Sequence, residues 1–218
     1  MGHFLSKVKH RWNKSKSSSV YDYKVIMFGL DHVGKTTIFY KLQAMTCHKG
    51  NKATQLMKDM MHTVPTIGFN CETITYNAKK LNIWDIGGLK MEALCRFYFP
   101  GATDLIYVVD SSDRHRLEET KKIFYELISD KELEKIRITI LCNKQDLEGS
   151  LSTQEIIDYM DLERYIDKTK QQWRCFGTQT LPSSSTQAAQ PKRKPDDGLA
   201  QCLQWITSNK PIRPETRG

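Results

Sequence analysis

Eight consecutive residues limit what this chain can fold into more than any other feature it carries. Gly29-Leu30-Asp31-His32-Val33-Gly34-Lys35-Thr36 fits the pattern Gly-x-x-x-x-Gly-Lys-Thr and stands between two runs of different character. Tyr23 to Gly29 is largely apolar and reads as a short buried strand, and Lys35 to Leu42 reads as a helix. A glycine-bearing loop at a strand-to-helix junction lets successive backbone N–H groups converge on one point, and the helix N-terminus adds a dipole that favours negative charge. The chemistry that suits it is phosphate binding. Asp31, His32, Val33, Gly34, Lys35, Thr36 and Thr37 then line the phosphates, with Lys35 offering a point charge to the β- and γ-phosphates and the Thr36 hydroxyl offering a ligand to Mg²⁺. The carboxylate of Asp31 either tunes turnover or points outward into solvent.

The rest of the chain alternates in the same way. Asn70 to Tyr76 and Lys80 to Ile86 read as two strands joined at Asn77-Ala78, a hairpin. Leu105 to Asp110 and Ile136 to Cys142 are apolar runs rich in Ile and Val, as strands covered on both faces should be. Helical segments are expected around Arg114 to Ser129, Thr153 to Met160 and Leu199 to Ile206, and the whole is an α/β pattern with a mostly parallel sheet and helices on both faces. At 218 residues the chain suits one such domain, over residues 21–210, with a basic arm at 1–20 and a tail at 211–218. Two stretches break the rhythm, 46–61 and 181–197, and both read as surface insertions. Met57, Met60 and Met61 in the first would pack onto the core, and Lys192-Arg193-Lys194 in the second reads as a solvated loop.

Which nucleotide is bound turns on Asn143-Lys144-Gln145-Asp146, at the end of the Ile136 to Cys142 strand. A carboxylate at Asp146 accepts hydrogen bonds from the ring imino and exocyclic amino groups of guanine, a donor pair that adenine lacks on that edge. A base without it would leave the carboxylate unpaired. A kinase or ATPase built on the same phosphate loop would not need Asn143 and Asp146.

Between these motifs lie Pro65-Thr66-Ile67-Gly68-Phe69-Asn70 and Trp84-Asp85-Ile86-Gly87-Gly88. With the phosphate loop and Asn-Lys-Gln-Asp, in this order from about Tyr23 to Ile206, they resemble the Arf and Arf-like small GTPases. The resemblance implies a P-loop NTPase fold, GTP and GDP as ligands, Mg²⁺ as cofactor, and an on/off cycle run by an exchange factor, a GTPase-activating protein and effectors. It implies Thr66 as the switch I residue that reaches Mg²⁺ and the γ-phosphate, Asp85 as the residue behind a water of the metal, and the Gly88 N–H as a γ-phosphate donor. It also implies an exposed aromatic effector surface at Phe69, Trp84 and Tyr98, for which core packing is the competing reading.

Three places depart from the family pattern. The family has glutamine after Gly-Gly to orient the attacking water, and this chain has Leu89, which neither donates to nor accepts from water. Hydrolysis should therefore be slow unless a partner supplies the missing group; the alternative is a GTP-bound interaction platform that does not hydrolyse at all. Trp173 to Thr180 resembles the last strand, but the loop that should pack on guanine has no Cys-Ala-Thr, and Gln179 and Thr180 are the nearest fit by spacing. The third departure is the 46–61 insertion itself.

The formal net charge is +8, and residues 1 to 24 hold Lys7, Lys9, Arg11, Lys14, Lys16 and Lys24 against Asp22 alone. Met1-Gly2-His3-Phe4-Leu5-Ser6 fits the myristoylation pattern at Gly2. On a helix, Phe4, Leu5, Val8 and Trp12 share an arc of roughly 100°, with Lys7, Lys9 and Arg11 largely outside it. One acyl chain plus a basic amphipathic helix makes the two signals that stable attachment needs, so the arm suits an anionic membrane better than nucleic acid. No apolar run reaches transmembrane length. The six cysteines have no close pairs in sequence and no secretory segment before them, which points to free thiols and a reducing, cytoplasmic setting; the family resemblance, with the arm, implies a peripheral place on the cytosolic face of the Golgi or another endomembrane.

Overall fold

The strand before the phosphate loop, β1 (Tyr23–Phe28), is buried along its whole length, because it lies near the middle of a six-stranded sheet. The computed structural model describes residues 21–47, 55, 56, 58, 66, 68–87, 96–169, 171–179 and 197–208. In chain order the remaining elements are α1 (Lys35–Thr46), β2 (Phe69–Tyr76), β3 (Lys79–Ile86), β4 (Asp104–Asp110), α2 (Leu117–Ile128), β5 (Arg137–Asn143), α3 (Thr153–Met160), α4 (Leu162–Thr169), β6 (Trp173–Gly177) and α5 (Asp197–Ser208). The sheet order is β2-β3-β1-β4-β5-β6. Every pairing is parallel except β2 with β3, a hairpin closed at Asn77 and Ala78, whose φ angles of 49° and 59° supply the left-handed turn that matches strand twist. Strands β4 and β5, Asp-Leu-Ile-Tyr-Val-Val-Asp and Arg-Ile-Thr-Ile-Leu-Cys-Asn, are buried throughout, as strands covered on both faces must be.

Each of β1, β3, β4, β5 and β6 ends at one edge of the sheet, and the chain leaves β1 in opposite directions toward β3 and β4. In such sheets the crevice at the carboxyl ends, where strand order reverses, is where ligands bind. The opposite edge carries a fully buried ion pair: Arg137 Nη2 lies 2.8 and 2.9 Å from the two Asp104 carboxylate oxygens, under the Tyr23 ring.

Local boundaries differ from the sequence reading where side chains satisfy helix ends. Helix α1 runs one turn beyond Leu42, to Thr46, whose hydroxyl donates back to the carbonyls of Leu42 and Gln43. The expected helix from Arg114 opens instead as a 3₁₀ turn, Arg114–Arg116, with Asp113 accepting from the Arg116 N–H. Helix α4 was not anticipated, although Leu162, Tyr165 and Ile166 fall at helical spacing; its eight residues are polar on average, and Leu162 is its only fully buried side chain among those described. Helix α3 starts on a capping box formed by Ser152 and Glu155.

The two ends of the second insertion meet. A Cβ on Gly198, at the start of α5, would collide with the Gly177 carbonyl at the end of β6, so the described residues on either side of this stretch lie close together. Gln55, Leu56 and Lys58 in the first insertion are helical, with Leu56 buried. Met57, Met60, Met61 and the Lys192-Arg193-Lys194 triplet lie outside the described residues, as do the arm with Gly2 and the tail.

Candidate functional site

The phosphate loop is held in shape by its neighbours. Gly29 has φ 145°, and a Cβ there would run into the Val108 carbonyl of β4, so only glycine lets the loop leave β1 this close to the next strand. His32 and Gly34 take left-handed φ angles of 59° and 95°, which curls the backbone before α1 begins. That helix has no side-chain cap and no acidic residue in its first turn, so its first N–H groups stay available to an anion. The Lys35 ammonium folds back along the loop and donates to the Gly29 and Leu30 carbonyls at 3.0 and 2.6 Å. Burial lowers its pKa to about 8, with Asp85 and Asp31 pulling the other way. A phosphate beside it would favour the charged form.

The sequence left two roles open for Asp31. Its carboxylate accepts from Arg116 Nη1 at 2.8 Å, and Arg116 also binds Asp113 at 2.6 Å. Asp31 therefore faces the 3₁₀ turn after β4, with part of its surface in solvent, and any share in phosphate binding falls to its backbone. His32 is exposed beside it.

Four side chains from three segments converge next to the loop. The Thr36 and Thr66 hydroxyls are 2.8 Å apart, and Thr36 donates to Asp85 Oδ2 at 2.8 Å. Thr66 reaches the same oxygen at 3.4 Å, and the Asn70 amide donates to it at 3.1 Å. Asp85 Oδ1 is buried and has no partner among the described residues. Burial raises the carboxyl pKa, while Thr36, Asn70, Lys35 and Thr66 work against that shift. A buried carboxylate with one orphaned oxygen, beside two hydroxyls, suits a hydrated divalent cation of hard-ligand preference such as Mg²⁺. Gly87 closes the cluster: its N–H donates to the Gly68 carbonyl at 2.8 Å, and a Cβ there would strike the Thr66 carbonyl. Thr37 is buried in the first turn of α1 and Val33 is buried in the loop. Gly88 and Leu89 lie outside the described residues.

At the far side of the crevice Asn143 works as a clasp. Its amide donates to the Val33 carbonyl at 2.8 Å and its oxygen accepts from the Thr178 hydroxyl at 3.1 Å, all fully buried. The Thr178 N–H donates to the Cys142 carbonyl and the Thr178 carbonyl accepts from the Gln145 N–H. The phosphate loop, the Asn-Lys-Gln-Asp loop and the segment after β6 are thus tied through one residue. Lys144, at φ 63°, pairs with Asp110. Asp146 is exposed and has no hydrogen bond among the described residues, leaving its carboxylate open to an incoming base. Gln179 directly follows Thr178 and its carbonyl accepts from Lys41 of α1 at 3.1 Å. Thr180 is outside the described residues.

The chain matches the sequence model of the ADP-ribosylation factor family over residues 9–209. It belongs to that family. Among curated relatives, "ADP-ribosylation factor K" of Dictyostelium discoideum is 38% identical over 148 residues, which are 67% of this chain and 72% of that protein. The fold matches the Arl6 (BBS3) small GTPase of Trypanosoma brucei, solved with the nucleotide analogue GppNp, at a TM-score of 0.67 and 22% identity, covering 85% of this chain and 95% of that one. Family members are generally GTPases that bind guanine nucleotide, and the P-loop fold found here is theirs.

One expectation from the family resemblance needs correction. Phe69, Trp84 and Tyr98 do meet, with ring centroids 5.1, 5.2 and 5.7 Å apart. They are not an exposed surface in this structure: Trp84 and Tyr98 are buried and Phe69 is half-buried. Lys24, itself buried, stands 5.1 Å from the Trp84 ring and donates to the Pro100 carbonyl at 2.9 Å. Beside them, Phe97 does face solvent, 54% exposed on the 3₁₀ turn Arg96–Tyr98; three residues of a 3₁₀ turn give no period by which sequence could tell it from Tyr98. Sequence reasoning also missed Asn70 and Thr178. Asn70 was readable, since it lies directly opposite Asp85 once the hairpin register is set.

Proposed function

We propose that this chain is a GTP-dependent switch that engages effectors at a membrane in its GTP state and hydrolyses GTP slowly by itself. The observation that carries this reading is the convergence of Thr36, Thr66, Asn70 and Asp85. It links the phosphate loop, the segment before β2, and the β2–β3 hairpin through one carboxylate oxygen. A ligand that changes the charge at this point changes what holds the hairpin, which is how a phosphate can be read at a distance. Thr36 and Thr66 would hold Mg²⁺, with Asp85 behind its water; the ion supplies neutralisation of phosphate charge. Lys35 and the α1 N–H groups orient the β- and γ-phosphates, and the Gly88 N–H adds a donor to the γ-phosphate. Asn143 and Lys144 brace the base pocket, Asp146 selects guanine, and Gln179 with Thr180 flanks the base.

Leu89 stands where the family has its water-orienting glutamine, so water is left without a side chain to position it. An activating protein that supplies a polar group restores turnover. The other reading, a non-hydrolysing platform, has the same binding residues and differs only in having no such partner. Attachment comes from a myristoylated Gly2 and the basic arm, at the cytosolic face of an endomembrane such as the Golgi. Among the described residues no helix is long and apolar enough to cross a membrane.

Binding of fluorescent GDP, with GTP, ATP and XTP as competitors, tests the base assignment. GTP is expected to compete and ATP to fail. Asp146→Asn replaces a double acceptor with a group that can donate to the 2-carbonyl of xanthine, so it should lose GTP and gain XTP. Equal competition by ATP would overturn the assignment.

A further inference from the structure

Cysteines that are scattered in sequence include two that meet in space. Cys142 on β5 and Cys175 on β6 have sulfur atoms 3.3 Å apart. The register explains it: the direct partner of Cys142 is Gly177, which has no side chain, so Cys142 turns to its diagonal neighbour Cys175, itself opposite Ile140. Cys142 is fully buried and Cys175 is half-buried, so Cys175 is the member of the pair nearer solvent. Contact with Cys175 and burial push the Cys142 thiol up, which favours its neutral form.

We propose that Cys142 and Cys175 form a modification site, a dithiol that a hydroperoxide closes to an intramolecular disulfide beside the loops that hold the base. The Cys175 thiolate attacks a peroxide oxygen, the O–O bond breaks, and water or an alcohol leaves after taking a proton, giving a sulfenic acid on Cys175. The Cys142 sulfur then attacks the sulfenic sulfur; the S–O bond breaks and the hydroxide leaves as water with the Cys142 proton. Two thiols lose two electrons and one hydroperoxide gains them.

The consequence follows from geometry. The two sulfur atoms stand 3.3 Å apart, while a disulfide holds them at about 2.05 Å. Closing the bond therefore draws the ends of β5 and β6 together, and a bond so placed is easily reduced again. Those ends carry the clasp: the Cys142 carbonyl holds the Thr178 N–H at 2.9 Å, and Asn143, the next residue, joins Thr178 to Val33. This effect on ligand release rests on the guanine-site reading above; the bond itself does not.

The test treats the GDP-loaded full chain with hydrogen peroxide, blocks remaining thiols, and reads unreduced peptides by mass spectrometry alongside fluorescent-GDP dissociation. The expected result is a Cys142–Cys175 cross-link reversed by dithiothreitol, and GDP release faster by about 5-fold on oxidation. Cys175→Ser should release GDP like the parent before treatment and show neither change after it. A Cys142→Ala variant must also lose the cross-link. Absence of the link, or sulfinic acid on Cys175 in its place, overturns the site, and a link with unchanged release overturns its coupling to the base loops. A chain that forms the link but binds no guanine nucleotide upholds the dithiol and sinks the guanine reading instead.

Discussion

Removing the Asn143 clasp is a perturbation whose size can be worked from contacts. Asn143→Ala strips the Val33 carbonyl of a donor at 2.8 Å and the Thr178 hydroxyl of an acceptor at 3.1 Å, at a residue with no solvent exposure. Two buried hydrogen bonds contribute about 1 kcal/mol each, and a carbonyl left unpaired away from water costs about 1–3 kcal/mol more. The hydroxyl can rotate toward another acceptor, so the expected total is roughly 2–4 kcal/mol. Thr178→Val removes only the second bond but leaves the buried Asn143 oxygen without its donor, and should cost about 1–3 kcal/mol. Because they share that bond, and the orphaned oxygen is gone from the double variant, it should fall short of the sum by at least about 1 kcal/mol. Urea unfolding followed by far-UV circular dichroism at one fixed GDP and Mg²⁺ concentration measures all four corners. Any loss of nucleotide affinity adds to the apparent destabilisation through linkage. A single-variant cost below about 0.5 kcal/mol, or strict additivity, would refute the clasp.

Burial lowers the Lys24 pKa from 10.5 to about 8. Its folded value lies below its unfolded one, so between about pH 8 and 10.5 the unfolded chain binds more protons and stability rises with pH, while below pH 8 the penalty is fully present. The stability difference between the parent and Lys24→Met should narrow across that window by about 3 kcal/mol at most; parallel pH profiles in chemical denaturation would contradict it. Asn70→Ala removes a donor to Asp85, so the Mg²⁺ concentration that half-retains bound nucleotide should rise by about 10-fold, with release in excess chelator unchanged. An unchanged Mg²⁺ midpoint would remove Asn70 from the metal site.

The phosphate loop, the alternating strands and the Asn-Lys-Gln-Asp loop were legible because each depends on local chemistry: glycines at a strand end, β-branched residues between helices, and a polar loop at a strand terminus. What sequence could not supply were relations across the sheet. Cys142 and Cys175 lie far apart in the chain and become neighbours only when β5 and β6 pair in a register that sets glycine opposite Cys142. The ion pair of Asp31 with Arg116 needs the turn after β4 to fold over the loop. The aromatics were expected as an exposed surface, but their burial depends on how the 3₁₀ turn Arg96–Tyr98 closes over β3, and no period in three residues reports that. Helix α4 escaped although Leu162, Tyr165 and Ile166 fall at helical spacing, since eight residues that are polar on average read equally well as a loop.

The central claim, a guanine-nucleotide switch whose off-step is slowed by Leu89, is tested most directly by single-turnover hydrolysis of preloaded GTP at saturating Mg²⁺. The parent chain and Leu89→Gln are compared over the same interval. The account predicts that the parent retains GTP while the variant converts it, by a factor of about 10-fold or more, the scale expected when a water-positioning group is restored. Equal rates in the two proteins would contradict it, because another residue would then be orienting the water.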